Sequence, residues 1–168
     1  MPDQPLPTVF RTRVVRTERL GPHLVRVVVT GDEVHRFPDN GFSDRYVKLI
    51  FPRPGVEYPA DMDFAAIRST LPPERWPVYR TYTIRTIDAA RAELTIDFVT
   101  HGDHGVAAPW AAAARPGDEL VMTPPGGAYV PSPDADHHLI AGDAAALPAI
   151  ASALEDLPSG ATATGFEL

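Results

Sequence analysis

Cysteine is absent from the 168 residues, which excludes disulfides, thiolate nucleophiles, cysteine zinc sites and conventional iron–sulfur clusters. Any redox chemistry therefore needs a borrowed cofactor. No apolar run approaches the roughly 18 residues a membrane helix requires, and the opening Met1-Pro2-Asp3-Gln4-Pro5 has neither the basic nor the apolar region of a signal peptide. A cytoplasmic, soluble chain without membrane insertion is expected. Lysine is nearly missing as well, with Lys48 standing against fourteen arginines. Together with abundant alanine and 19 prolines, this bias reads as the composition of the encoding genome.

Charge is unevenly placed. All fifteen basic residues lie at or before Arg115, where 14 of the 22 acidic residues offset them; the other eight acids stand beyond it, in a stretch with no lysine or arginine. The basic residues are spread singly through strand-like segments and matched by acids, so a positive groove for nucleic acid is not expected.

Segments rich in β-branched residues recur between turn signals at 9–17, 24–30, 46–51, 80–86, 93–100 and 118–123. Six short strands with Gly-Pro, Gly-Asp and Pro-Gly punctuation predict an antiparallel barrel in a mainly β protein. Residues 52–79 carry five prolines after Pro52 and one short helix candidate at 63–69, which makes this stretch a surface excursion between strands. Two further helices are predicted at 106–115 and 144–157, with Pro109 and Pro148 near their starts, where a missing N–H is tolerated.

The pattern changes after the sixth strand. Residues 138–141 read as a short buried strand that Gly142-Asp143 turns directly into a helix, with Asp143 as its N-cap. A boundary is predicted near 131–133, dividing the chain into 1–131 and 132–168. The second part is long enough for one βα unit and the start of another strand, so an incomplete nucleotide-binding α/β domain is expected there. It contains no G-x-G-x-x-G, and an acid at its helix start disfavours a dinucleotide phosphate.

Three blocks carry candidate chemistry. Arg80-Thr81-Tyr82-Thr83-Ile84-Arg85 alternates in a strand, with Arg80, Tyr82 and Ile84 on one face and Thr81, Thr83 and Arg85 on the other. The run from Asp97 through Val99, His101, Gly102, Gly105, Val106, Ala107 and Ala108 ends a strand and opens a helix through a glycine turn whose amides can face an anion. The third is Gly142-Asp143-Ala144-Ala145-Ala146-Leu147-Pro148-Ala149-Ile150. His101 and His104 have the spacing H-x-x-H, and His137 adjoins His138, but a glycine-rich turn without further ligands predicts polar turn residues and no metal.

In order along the chain, these blocks resemble the R-x-Y-[ST], D-x-V-x-H-G and G-D-E-[ST]-A-L-P-A-I patterns of siderophore-interacting proteins. These are FAD-dependent ferric-siderophore reductases of the ferredoxin reductase superfamily. The resemblance implies a six-stranded Greek-key barrel binding FAD, with NAD(P)H as electron donor in a full-length parent and a ferric siderophore as substrate. It implies that Arg80 pairs with the pyrophosphate, Tyr82 offers a flat face to the isoalloxazine or ribityl chain, and Thr83 hydrogen-bonds a ring heteroatom. Thr81, Asp97, Val99, His101, Gly102, Gly105, Val106, Ala107 and Ala108 complete the implied cofactor site. Ala108, Ala144 and Ala145 replace polar residues usual in the family, and Pro124 stands where a glycine is common. No side chain is required as a general acid or base. A flavin-binding module without turnover, a barrel that has lost its cofactor, and a related flavin or ferredoxin reductase are the alternatives.

Overall fold

The computed structural model describes residues 6–100, 102 and 104–167. Alternating apolar residues build six antiparallel strands: β1 (Phe10–Gly21), β2 (Leu24–Thr30), β3 (Tyr46–Phe51), β4 (Val78–Asp88), β5 (Glu93–Val99) and β6 (Glu119–Met122). They close into a barrel in the order β1-β2-β5-β4-β3-β6. Strand β2 lies beside β5, at the far end of the run β3, β4 and β5, which is the Greek-key arrangement. The inward residues include Phe10, Val27, Val29, Leu49, Ile84, Leu94, Ile96 and Phe98, all fully buried. Each contributes roughly 1.5–3 kcal/mol by leaving water.

Strand β1 runs past the predicted end at residue 17 because its exposed second half keeps pairing with β2, as far as Gly21 opposite Leu24. Helix α1 (Phe64–Thr70) is capped by Asp63, whose carboxylate accepts from the amides of Ala65 and Ala66. Helix α2 (Ala107–Ala113) is shorter than its predicted span, because the chain leaves helical geometry at Ala114, ahead of Pro116 and Gly117.

The excursion at 52–77 covers one outer face of the barrel. Its Met62 packs with Val9, Ile50 and Val121 in a second buried cluster flanked by Tyr58, Phe64 and Tyr79. The Tyr79 ring sits 4.6 Å from Phe64, and its buried hydroxyl has no hydrogen-bond partner among the described residues. Burial pushes this phenol up to about 12. An unpaired buried hydroxyl costs stability, so Tyr79→Phe is expected to be neutral or stabilising by up to about 1 kcal/mol. The folded state holds this proton more tightly than the unfolded chain does. The contribution of Tyr79 is therefore complete below the ordinary phenol value of 10 and falls away as pH rises towards about 12. Urea unfolding at pH 8 and pH 11 should show that alkaline decline reduced in Tyr79→Phe; an unchanged decline with lost stability at pH 8 would contradict the assignment.

Beyond the barrel, β7 (His137–Gly142) and β8 (Thr162–Glu167) pair in parallel. Between them a 3₁₀ turn at Ala144–Ala146 leads into α3 (Leu147–Glu155). The predicted single helix from 144 thus begins as a tighter turn, with Asp143 accepting from the amides of Ala145 and Ala146. Gly142 is required by close approach: a Cβ there would lie 2.6 Å from that of Ala146. Among the described residues no helix is long and apolar enough to cross a membrane.

Candidate functional site

The site arises where two strands part. Strand β3 pairs with β4 from Phe51 opposite Val78 to Tyr46 opposite Thr83, and β2 pairs with β5 as far as Leu24 opposite Val99. Strands β4 and β5 pair with each other only from Ile84 opposite Ile96 onward. Residues 78–83 and 97–99 therefore diverge as the two lips of a cleft. The amide of Ile84 donates to Arg45 O at 2.9 Å, so the antiparallel alternation turns the backbone groups of Thr81 and Thr83 away from β3 and into the gap.

One part of the cleft, about 250 Å³, is lined by Arg80, Thr81, Tyr82, Thr83, Asp97 and Val99, with Ala145 and Pro148 from the β7–α3 unit. A second part, about 290 Å³, shares Arg80 and Tyr82 and reaches His104, Gly105, Val106, Ala107 and Ala108. The structure thus brings together ten of the twelve residues singled out from the sequence. Gly102 sits exposed in the adjoining turn at φ +69°, and Gly105 adopts φ +82°, conformations that favour glycine. His101 lies outside the described residues.

Tyr82 forms the floor. Its ring packs 4.4 Å from Phe98, which in turn lies 5.7 Å from Trp110 of α2. Burial raises the Tyr82 phenol above its ordinary value, keeping it neutral. Arg80 is exposed and donates to Tyr79 O at 2.8 Å; no carboxylate among the described residues neutralises it. The hydroxyls of Thr81 and Thr83 make no hydrogen bond to a described residue. Asp97, with a side chain only 5% exposed, is held by Arg26 through Nε to Oδ1 at 2.7 Å and Nη2 to Oδ2 at 2.8 Å. The carboxylate thus reaches the cleft wall with its charge balanced.

Three lining residues were not read as site residues from the sequence. His104 appeared only as half of a doubtful metal pair, and among the described residues no group of three metal-binding side chains exists. Ala145 and Pro148 gave only a capping signal, since their contact with β4 and β5 depends on how α3 docks. That docking combines buried Pro148, Ser152 and Ala153 with an ion pair. Arg85 donates from Nη1 to Glu155 Oε2 at 2.7 Å and from Nη2 to Oε1, which holds the Glu155 carboxyl below the usual range.

An exposed guanidinium with no carboxylate partner among the described residues, an aromatic floor and a glycine turn thus stand at the parted seam of a six-stranded Greek-key barrel, which is a ferredoxin-reductase-like fold. The family model for the siderophore-interacting FAD-binding domain matches residues 13–129, and that for siderophore-interacting protein matches 135–167. The chain belongs to the siderophore-interacting protein family.

It is 46% identical over 158 residues to an uncharacterized protein of Mycobacterium tuberculosis, covering 91% of this chain and 55% of that one. It is 35% identical over 145 residues to the ferric vibriobactin reductase of Vibrio cholerae, covering 86% and 53%. The NADPH-dependent ferric-chelate reductase of Escherichia coli is 37% identical over 145 residues, with 86% and 55% covered. The crystal structure of the siderophore-interacting protein of Aeromonas hydrophila superposes with a TM-score of 0.76 at 33% identity, covering 96% of this chain and 59% of that one. The chain spans about half the length of the curated relatives it matches.

Proposed function

We propose that this chain is the FAD-binding part of an NAD(P)H-dependent ferric-siderophore reductase, with 1–131 as the flavin domain and 132–168 as the start of the nicotinamide domain. The observation that carries this reading is the position of Arg80: an exposed cation without a carboxylate partner among the described residues, at the junction of the two parts of the cleft. The donor set suits a dinucleotide that is anionic at its middle and aromatic at its ends. Arg80 would meet the pyrophosphate from one side and the amides of residues 104–107 from the other. Tyr82 supplies a neutral face for the ring system, and the hydroxyl and backbone groups of Thr83 reach a ring heteroatom. Ala107 and Ala108, both buried, contribute backbone only.

FAD held by these residues would supply the chemistry that links a two-electron nicotinamide donor to one-electron reduction of a ferric complex. The chain's own residues bind and orient; none is assigned a proton transfer. Hard oxygen donors hold Fe(III) far more firmly than Fe(II), so reduction loosens the chelate while the organic ligand stays intact.

FAD-loaded protein, reduced anaerobically with dithionite, freed of excess reductant and mixed with a ferric tris-catecholate, should yield Fe(II) that a ferrous-specific chelator traps. Flavin absorption without Fe(II) would favour the module without turnover, and failure to acquire flavin absorption on titration with FAD would overturn the reading.

A further inference from the structure

We infer that Glu155 and Asp156, at the far end of α3 from the cleft, are positioning residues: they clamp α3 to the barrel and thereby set the gap between Pro148 and Ala145 on one side and β4 on the other.

The clamp begins with a bulge. Between Ile84 and Thr86 the β4 register slips, because those two residues face Ile96 and Thr95, neighbours on β5; Arg85 is the extra residue. Its side chain leaves the ladder for Glu155 and is only 14% exposed, although its partner is mostly solvated. A second attachment lies one residue on. Ser43 Oγ donates to Asp156 Oδ2 at 2.8 Å, and Arg45 Nη2 stands 3.9 Å from the same oxygen. Both partners, in the segment leading into β3, are themselves braced: the Ser43 amide donates to Tyr129 O at 2.9 Å, and Arg45 donates to Phe42 O at 3.0 Å and to Asp39 at 3.1 Å.

Two carboxylates at a helix C-terminus oppose the helix dipole, so their placement works against α3 as an isolated element. The conflict resolves at the interface, where each carboxylate meets an arginine from the barrel. Arg26 and Asp97, themselves an ion pair, lie within electrostatic reach of Arg85, and Asp97 lines the cleft. Helix α3 spans about 13 Å, with the clamp at one end and Pro148 at the other. A small rotation at the clamp is therefore carried to the wall that would shield the cofactor ring.

This inference rests on the flavin reading, and its test separates the two. The absence of native cysteine makes site-specific labelling direct. Spin labels at Thr17→Cys and Leu154→Cys, both exposed positions, report the α3-to-barrel distance without any cofactor. Glu155→Ala combined with Asp156→Ala should broaden that distribution, and Arg85→Glu combined with Glu155→Arg should restore it. In FAD-loaded protein, iodide quenching of flavin fluorescence at constant ionic strength should rise about two- to fivefold in the first pair and return towards the parent in the swap. Far-UV circular dichroism and the single variant Glu155→Gln, which keeps a hydrogen-bonding group, verify that folding is intact. An unchanged distance distribution, or quenching unchanged in folded, FAD-loaded protein, overturns the clamp. Failure of the parent to bind FAD while the labels respond overturns the flavin reading instead.

Discussion

Arg80→Ala is expected to weaken FAD binding by about one to two decades, the loss of a charge-assisted contact worth roughly 1.5–3 kcal/mol. The size follows from the arginine's surroundings. Its guanidinium is exposed and has no carboxylate partner among the described residues, so the deletion removes attraction for a ligand without leaving a buried charge behind. Arg80→Lys should recover part of the loss, because an ammonium keeps the charge but not the bidentate fork. FAD titration followed by flavin fluorescence decides the matter, and equal affinities for parent and Arg80→Ala would refute the placement of the pyrophosphate.

The largest expected loss of stability is at Phe98. This fully buried ring joins Tyr82 on one side to Trp110 on the other. Truncation to alanine removes a phenyl group from a site whose walls are two large rings and the barrel strands, so little collapse can fill the cavity. Phe98→Ala should cost about 3–5 kcal/mol and lower the melting temperature by roughly 10 °C. Because Tyr82 loses its support, FAD affinity should also fall. Calorimetry and titration together test this; a melting point within about 3 °C of the parent would show that the aromatic stack does not hold the floor.

Much of the architecture was legible in the sequence because a barrel strand must alternate. Phe10, Thr12 and Val14 point inward while Arg11 and Arg13 point out, and that period survives any tertiary context. Gly142 and Asp143 announced a strand-to-helix turn for equally local reasons. The parting of β4 from β5 was not legible, since it depends on where pairing stops between segments that look uniformly strand-like. Nor was the bulge at Arg85, which has no glycine to mark it. Arg80, Tyr82 and the glycine turn were recognisable as candidates, whereas Ala145 and Pro148 became cleft walls only through tertiary docking of α3. Arg26 and Asp97 were equally hidden: 71 positions separate them, and only the β2–β5 register sets them opposite each other.

The closure of the barrel bears on how the chain is made. Strand β1 finds β2 at once through a tight hairpin, but its other edge pairs with β6, and Thr12 reaches Leu120 O across 108 residues. On a ribosome, that edge stays unsatisfied through most of synthesis, when an open strand edge is most exposed to other nascent chains. Arg11 and Arg13 stand along it, and charged side chains are a common protection against edge-to-edge association. Once β6 arrives, Arg11 pairs with Glu119. The same arginine that guards the edge during translation becomes a seal on the finished barrel.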